Sequence, residues 1–480
     1  MNPGTETKQT AEAPDAQKLA EREAESQLEK REGGLKSKLS PRQVAMIGLG
    51  CTIGTGLFLG SAISVKLAGP AVLFSFAAGA LIALTVMWAL AEMAVEHPAP
   101  GSFGLYAEMY LHPWAGFAVR YTYWLCLVMV VGSEVVAGAI YCAFWFPQVP
   151  APVWIAVFSV ALVAVNTLSI EDFGSIEFWF AMIKVVTILA FLVLGTMLLA
   201  GLGFPRIGVG NFTAHGGFMP NGLRGVGLGM VMAIFSYLGL EIVGTTAGEA
   251  AEPKKAVPRA LRRTLGWLAV FYLGGLALVI GIVPWTEIGL GQSPFVRVFE
   301  RVGIPAASHI MNFVVLSAAL SSALANLYFC ARLLFSLARG GFAPAGLGKL
   351  SKRGMPVAAV LASSVGLVLA LVLANFFKET AFVFLIGVAF FGGPFIWLMT
   401  LATHIAFRKR IAEEKREILK IAPLGIWSSL AGIVALVAVL ISTWWLPDFH
   451  VALLAGPPWL AFLTVCYFIW RKFQPRENAG

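Results

Sequence analysis

Residues 181–202 read AMIKVVTILAFLVLGTMLLAGL, a continuous apolar run carrying a single charge at Lys184. A membrane-spanning helix needs about 20 predominantly apolar residues, each rising about 1.5 Å. Residues 151–170 form a second run of this kind. Strands of a membrane barrel would read instead as short alternating stretches. In hydrocarbon every backbone N–H and C=O must find an internal partner, so the choice lies between helices and a closed barrel. The unbroken runs decide for helices. The composition of the 480-residue chain agrees: 58% of residues are hydrophobic, 13% are charged, and the mean hydropathy is +0.79. A soluble domain has about 25% charged residues. Lipid is therefore the expected solvent.

Working outward from that run, apolar segments fall at about 43–66, 69–93, 114–145, 152–170, 176–202, 225–248, 262–285, 304–338, 356–377, 380–406, 423–446 and 451–470, twelve in all. Gly69-Pro70, Pro98-Ala99-Pro100-Gly101 and Gly456-Pro457-Pro458 punctuate the sequence between or within them. Residues 1–40 are polar, lack a clean apolar stripe and are expected to form a disordered cytoplasmic tail with no signal-peptide pattern. The cysteines Cys51, Cys126, Cys142, Cys330 and Cys466 lie in or at the ends of apolar runs. Their odd number and spacing fit neither a metal site nor a disulfide framework.

The net charge of +9 could signal nucleic acid, but its distribution points elsewhere. With twelve crossings both termini share a side. That side collects 27 of the 35 Lys and Arg residues, and the opposite side holds 6, with Arg120 and Lys184 inside spans. The positive-inside rule then predicts cytoplasmic termini in a cell (inner) membrane. The 2–3 and 4–5 connections have no basic residue, so the bias is not uniform loop by loop.

Two spans carry interruptions. Gly48, Gly50, Gly54 and Gly56 crowd the first, where each glycine costs a helix about 1 kcal/mol relative to Ala. A broken helix at membrane depth is tolerated where it lines a polar cavity, and its exposed N–H groups favour a carboxylate. The other reading is close helix packing, since Gly50 and Gly54 have small-xxx-small spacing. The sixth span contains Phe235-Ser236-Tyr237-Leu238-Gly239-Leu240-Glu241, a glycine and an acid deep in an apolar run. Paired interruptions in corresponding spans point to a transporter site.

The stretch from Met46 to Ser61 resembles the opening of the amino acid/polyamine/organocation transporter superfamily, most closely its bacterial amino acid permeases. Further matches are Ala68-Gly69-Pro70, Ala91-Glu92-Met93, Pro100-Gly101-Ser102-Phe103, Tyr106-Ala107, the run from Glu177 to Val185, Ala247-Gly248-Glu249-Ala250, Pro253-Lys254, Pro258-Arg259-Ala260 and Phe407-Arg408-Lys409. The resemblance implies an all-α membrane protein built as a five-plus-five inverted repeat. The first repeat would cover about 43–202, the second about 225–406, and two extra helices about 423–470, within a domain of 41–470 and before a tail of 471–480. It implies that Ile53, Gly54, Thr55 and Gly56 offer backbone N–H groups to a substrate carboxylate. It implies that Phe235, Ser236 and Leu238 offer carbonyls to the substrate amine, that Phe235 closes over the substrate, and that Glu241 sits just beyond the break. Cys51 stands where a Gly is common in the family, and Arg120 where a Gly usually precedes the Tyr123-Trp124 pair.

Lys184 has two readings from the residues: an amine snorkelling to the interface, or a buried titratable group suited to proton exchange. The resemblance favours the second, because a lysine at this position in some family members stands where related transporters bind sodium. Glu241 and Glu134 are intramembrane carboxylates and hence functional candidates. Glu92 and Glu249 are expected near cytoplasmic ends, in interfacial or loop-anchoring roles, and Arg120 is expected to be interfacial. The six histidines do not cluster as metal ligands. Gly225-x-Gly227-x-Gly229 follows no strand, and there is no phosphate-binding Gly-x-x-x-x-Gly-Lys loop. The expectation is a secondary transporter, not an enzyme, with no cofactor, metal or nucleic acid. Its partners are an L-amino acid or close amine such as a γ-aminobutyrate-like compound, protons and the bilayer. The alternatives are an exchanger without proton coupling and a non-transporting amino acid sensor. The substrate's identity and the oligomeric state stay open.

Overall fold

A computed structural model describes residues 52–97, 102–168, 170–203, 206–241, 253–377 and 380–473. Among these residues the chain is all helical, without a strand. The helices are α1 (Ser61–Ala68), α2 (Val72–Glu96), α3 (Ser102–Tyr110), α4 (Pro113–Ala143), α5 (Ala151–Asn166), α6 (Ile170–Ala200), α7 (Gly222–Tyr237) and α8 (Pro253–Ala269). They continue with α9 (Gly275–Ile282), α10 (Pro294–Arg301), α11 (Pro305–Arg339), α12 (Val357–Ser363), α13 (Val365–Phe376), α14 (Ala381–Glu413), α15 (Ile426–Ser442) and α16 (His450–Phe473). Nine helical runs among the described residues are long and apolar enough to cross a membrane, and α5 and α7 are shorter apolar helices.

Helix starts follow local chemistry. Proline opens α4, α10 and α11, where its missing N–H is no loss. The Ser293 hydroxyl accepts from the Phe295 amide at 3.3 Å at the head of α10. Gly69, at φ +61°, turns the chain between α1 and α2, a conformation that favours glycine. Two short helices, α3 and α10, lie in connections that the apolar pattern leaves blank, because each has too few residues to cross a membrane.

Burial sorts the bundle. The most apolar windows of α4 and α11 are 78% buried, against 28% for α6 and 22% for α16. So α4 and α11 form the centre, packed on each other, while α14 also lies against α4. The outer helices expose large apolar side chains such as Val160, Leu223, Trp427 and Val434. Exposed apolar surface on this scale would be a liability in water and is natural against lipid.

Close approaches rest on small residues. At Gly366 a side chain would reach within 2.1 Å of the Val128 carbonyl, so α13 lies directly on α4. Gly225 and Gly229 serve the same end. The hydroxyls of Ser64 and Ser75 donate to the carbonyls of Gly229 and Val226 at 2.8 and 2.7 Å, seating α7 against α1 and α2. Gly225 and Gly229 of α7 thus form a packing seam, while Gly227 faces open space.

Candidate functional site

Both interruptions are present. Ile53 and Gly54 form a bend between helical Thr52 and Thr55, and the backbone then runs through a wide turn at Gly56–Gly60 into α1. In the sixth span, α7 stops at Tyr237. Leu238 is extended (φ −63°, ψ 145°), and Gly239 takes φ +98° before helical conformation resumes at Leu240. The sequence beyond Glu241 up to residue 252, including Glu249, lies outside the described residues, as does Cys51.

A buried carboxylate holds an amide at each interruption. The Thr55 N–H points to both oxygens of Glu134 on α4, at 3.3 Å each. The Ser322 hydroxyl of α11 donates to Glu134 Oε1 at 2.9 Å. At the second interruption the Gly239 N–H points to both oxygens of Glu241, at 3.1 Å each. The Tyr123 hydroxyl donates to Glu241 Oε1 at 2.8 Å, and the Trp397 indole N–H to Oε2 at 3.1 Å. Negative charge at a freed helix N-terminus is the pairing expected of the dipole and the orphan amides.

The two interruptions also touch each other. The single Tyr272 O–H is shared between the Thr52 and Ser236 carbonyls, at 3.0 and 2.7 Å. A side chain at Gly56 would meet the Ser236 backbone at 3.0 Å. On the far side Gly393 of α14 makes room for Leu238, since a Cβ there would lie 2.2 Å from its side chain. Gly392 does the same for Cys126 of α4.

Between them lies a cavity of about 30 Å³, roughly the share of one water. Of the residues singled out from the sequence, Gly54, Gly56, Phe235, Ser236, Leu238 and Glu241 line it. Ile53 and Thr55 are buried beside it without lining it; Thr55 takes part through its amide. The remaining wall comes from Thr52 and Gly239 of the interruptions, from α4 (Tyr123, Cys126, Leu127, Val130, Glu134) and from Ser322 and Asn326 of α11. Sequence analysis offered Glu134 as a functional candidate and named none of the α11 residues. Tyr272 and Trp397 escaped it altogether. A lone tyrosine or tryptophan in an apolar run gives no sign of which way it faces.

Lys184 does not line this cavity. It is fully buried in α6, which excludes the snorkelling reading. Its charge acts on Glu134 and on Glu177, a second buried carboxylate two helical turns earlier on α6. Glu177 Oε1 accepts from the Ser321 hydroxyl at 2.7 Å. Lys184 is therefore within electrostatic reach of two acidic groups, each tied to a neighbouring serine of α11. The sequence had noted Glu177 as part of a motif, without this neighbourhood.

One expectation needs correction, and one alternative is decided. Arg120 is 5% exposed, well inside the protein, with its guanidinium 2.7 Å from Glu108 of α3. An unseen helix supplies its partner, and Gly104 leaves the space it occupies. For Glu92 the structure favours the second of the two expected roles. Its buried carboxylate accepts from the amides of Ile421 and Ala422 at 2.7 and 2.8 Å, which makes it a loop anchor.

Irregular backbone enclosed by membrane-length helices, and bordering a polar cavity, is an arrangement found in membrane transporters. The comparisons with known proteins agree. Residues 43–479 match the amino acid permease family. An uncharacterized amino acid permease of Bacillus subtilis, YtnA, is 40% identical over 445 residues, covering 92% of this chain and 96% of the relative. The γ-aminobutyric acid permease of the same organism is 36% identical over 452 residues, covering 94% and 96%. The aromatic amino acid transport protein AroP of Escherichia coli K12 is 37% identical over 442 residues, covering 91% and 96%. The chain belongs to the amino acid permease family. It is a multi-pass membrane protein of a family that moves small amino acid substrates across membranes, and its relatives are transporters, not enzymes.

Proposed function

We propose that this protein imports a neutral L-amino acid across the cytoplasmic membrane by proton-coupled alternating access. The reading takes the chain as twelve crossings. Two inverted five-helix repeats would lie at about 43–202 and 225–406, followed by two further helices at about 423–470, with both termini cytoplasmic. The likeness of the two interruptions, each with an amide held by a buried carboxylate, supports the repeat. The stretch Ile53–Gly56 would receive the substrate carboxylate. The backbone around Phe235, Ser236 and Leu238 would receive its amine, with the Phe235 ring closing over it and Glu241 fixing the second break. Cys126, Leu127 and Val130 give the side-chain end of the cavity an apolar wall suited to an uncharged group. The named substrates of the relatives, aromatic amino acids and γ-aminobutyrate, fall in the same range of compact amines bearing a carboxylate.

The observation that carries the coupling is the position of Lys184, fully buried and acting electrostatically on Glu134, whose carboxylate holds the first interruption. Adding or removing a proton on its amine changes the charge beside that contact. A conformational change follows a ligand only to the extent that the ligand favours one state over another. A charge change in a dry, closely packed site supplies such a difference, and α6 links it to α11.

The test is uptake into proteoliposomes of radiolabelled L-amino acids and γ-aminobutyrate, with and without an inward proton gradient, for the native protein and Lys184→Ala. Gradient-driven accumulation is expected for the native protein. The variant should lose it, by at least about tenfold in rate (1.4 kcal/mol), while still binding substrate. Accumulation by the variant would remove Lys184 from the coupling. Uptake indifferent to the gradient would indicate an exchanger, and binding without any flux a sensor.

A further inference from the structure

We propose that Glu134 is an internal stand-in for the substrate carboxylate. It occupies the Thr55 amide while the site is empty and yields it when substrate arrives. The inference rests on the reading that the Ile53–Gly56 stretch takes the substrate carboxylate.

Three observations lead to it. First, the Thr55 N–H that would meet a substrate carboxylate already points to one, with both Glu134 oxygens at 3.3 Å. Second, the site is shaped around that carboxylate. Gly54 has no side chain, and a Cβ there would stand 2.5 Å from Glu134 Oε1 and 2.6 Å from the Ser322 hydroxyl. Ser322 donates to the same oxygen at 2.9 Å, and Asn326 in turn donates to the Ser322 hydroxyl at 3.2 Å. Third, the remaining space of about 30 Å³ holds roughly one water and cannot hold an amino acid. Something must leave before substrate binds, and the group already on the amide is the one whose chemistry the substrate duplicates.

The physical reason for such a device lies in the return of the empty carrier. An interrupted helix in a water-poor site must keep its freed N–H paired, because an unsatisfied amide there is expensive. Substrate satisfies the amide when it is present. A carrier that accumulates substrate must also cross its cycle empty, and Glu134 then keeps the amide paired. The exchange is one carboxylate for another at the same N–H, so the helix end stays satisfied throughout. The displaced Glu134 carboxylate remains within electrostatic reach of Lys184. Substrate binding is thereby connected to the buried amine through one side-chain movement. Carboxylate-for-carboxylate exchange also favours substrates with a free carboxylate over their amides.

The proposal makes a prediction opposite in sign to that for a substrate ligand. For the amino acid that gives the highest uptake in the panel above, Glu134→Ala should bind about tenfold more tightly, since the competitor for a charge-assisted hydrogen bond is gone. The same variant should retain exchange of labelled for unlabelled substrate across the membrane. Net uptake into empty vesicles should be lost, because the return of the unloaded carrier is impaired. Ser322→Ala removes the hydroxyl that positions Glu134 and should tighten binding in the same direction by a smaller factor. It keeps the test alive if Glu134→Ala does not fold. Weaker binding by both variants, or net uptake at the native rate in Glu134→Ala, would overturn the proposal. The carboxamide of the same amino acid separates this from its premise. It should bind the native protein at least about tenfold more weakly than the acid. If acid and carboxamide bind alike, or if no amino acid is transported, the carboxylate site itself is wrong and the stand-in falls with it. If only the tightening is missing, the carboxylate site survives and the stand-in alone is discarded.

Discussion

Glu92 and the cavity pair Glu134 and Glu241 are all buried carboxylates in one bundle, but they are held in opposite ways. Glu92, on α2, is gripped by a cation in a fork: Arg408 Nε lies 2.8 Å from Oε2 and Nη2 lies 2.5 Å from Oε1. His404 Nε2 adds a contact at 2.8 Å, and its other ring nitrogen lies 2.8 Å from the Ser429 hydroxyl of α15. The amides of Ile421 and Ala422 complete the set. One side chain thus fastens α2, α14, α15 and the connection between the last two. The hydrogen bonds at Glu134 and Glu241 come from backbone amides, hydroxyls and an indole. A forked Arg–carboxylate pair carries strong, geometrically fixed bonds. Neutral donors bind the same anion more loosely and release it with less penalty. The difference separates a fastening from a latch. Helix α15 is tied to the bundle by the first, while the cavity, where the proposed transport cycle needs the backbone to rearrange, uses the second.

The comparison is tested most strongly at Glu92. Glu92→Ala leaves the Arg408 guanidinium without its buried partner and strands two loop amides. Breaking a buried pair from one side costs about 3–5 kcal/mol. The expected outcome is a large drop in melting temperature and in yield of the purified protein, with near-native uptake per folded molecule. A variant with native stability would show that the cluster is not a fastening. At the cavity the balance should reverse. Trp397→Phe keeps the ring and removes the N–H donated to Glu241, a hydrogen bond to a charged group worth about 1.5–3 kcal/mol. Uptake should fall by about tenfold, as 1.4 kcal/mol of bias implies, with a smaller loss of melting temperature than at Glu92. If stability falls further than transport, Glu241 belongs with Glu92 as a fastening.

The contrast also marks how far the sequence could be read. The bundle was legible because lipid leaves few options for the backbone, and runs such as residues 181–202 then read as helices. The interruptions were legible because Gly54, Gly56, Gly239 and Glu241 are the wrong residues for an apolar helix unless something opens there. Glu134 and Lys184 stood out for the same reason. Their relation did not, because it depends on how α4 and α6 are rotated, which tertiary packing decides. The Glu92 cluster was hidden because its partners lie more than 300 residues away, on α14 and in the connection that follows it. Arg120 was misplaced for a similar reason: its partner Glu108 sits on α3, a helix too short to register. Serines such as Ser321 and Ser322 carried no signal, since a serine in an apolar helix more often bonds its own backbone, as Ser317 does to the Val314 carbonyl.

The smallest expected effect, and the finest test of the latch, is at Tyr272. Its hydroxyl proton is shared by two carbonyls, one from each interruption, so the bond exists only while Thr52 and Ser236 are together. Tyr272→Phe removes one neutral hydrogen bond, worth about 0.5–1.5 kcal/mol, and keeps the ring against Tyr237. Overall stability should hardly move, because the ring still fills its place in the core. The equilibrium between closed and open cavity should shift toward open by several-fold up to about tenfold. Cys126 reports that shift directly, since it lines the cavity and is buried when the cavity is closed. In a background where the other four of the five cysteines are serine, a small thiol reagent should label Cys126 faster in Tyr272→Phe, and saturating substrate should slow it again. A labelling rate equal to that of the native residue would mean that the two interruptions are held together by packing alone. The latch would then consist of the two carboxylates, without a crosslink between them.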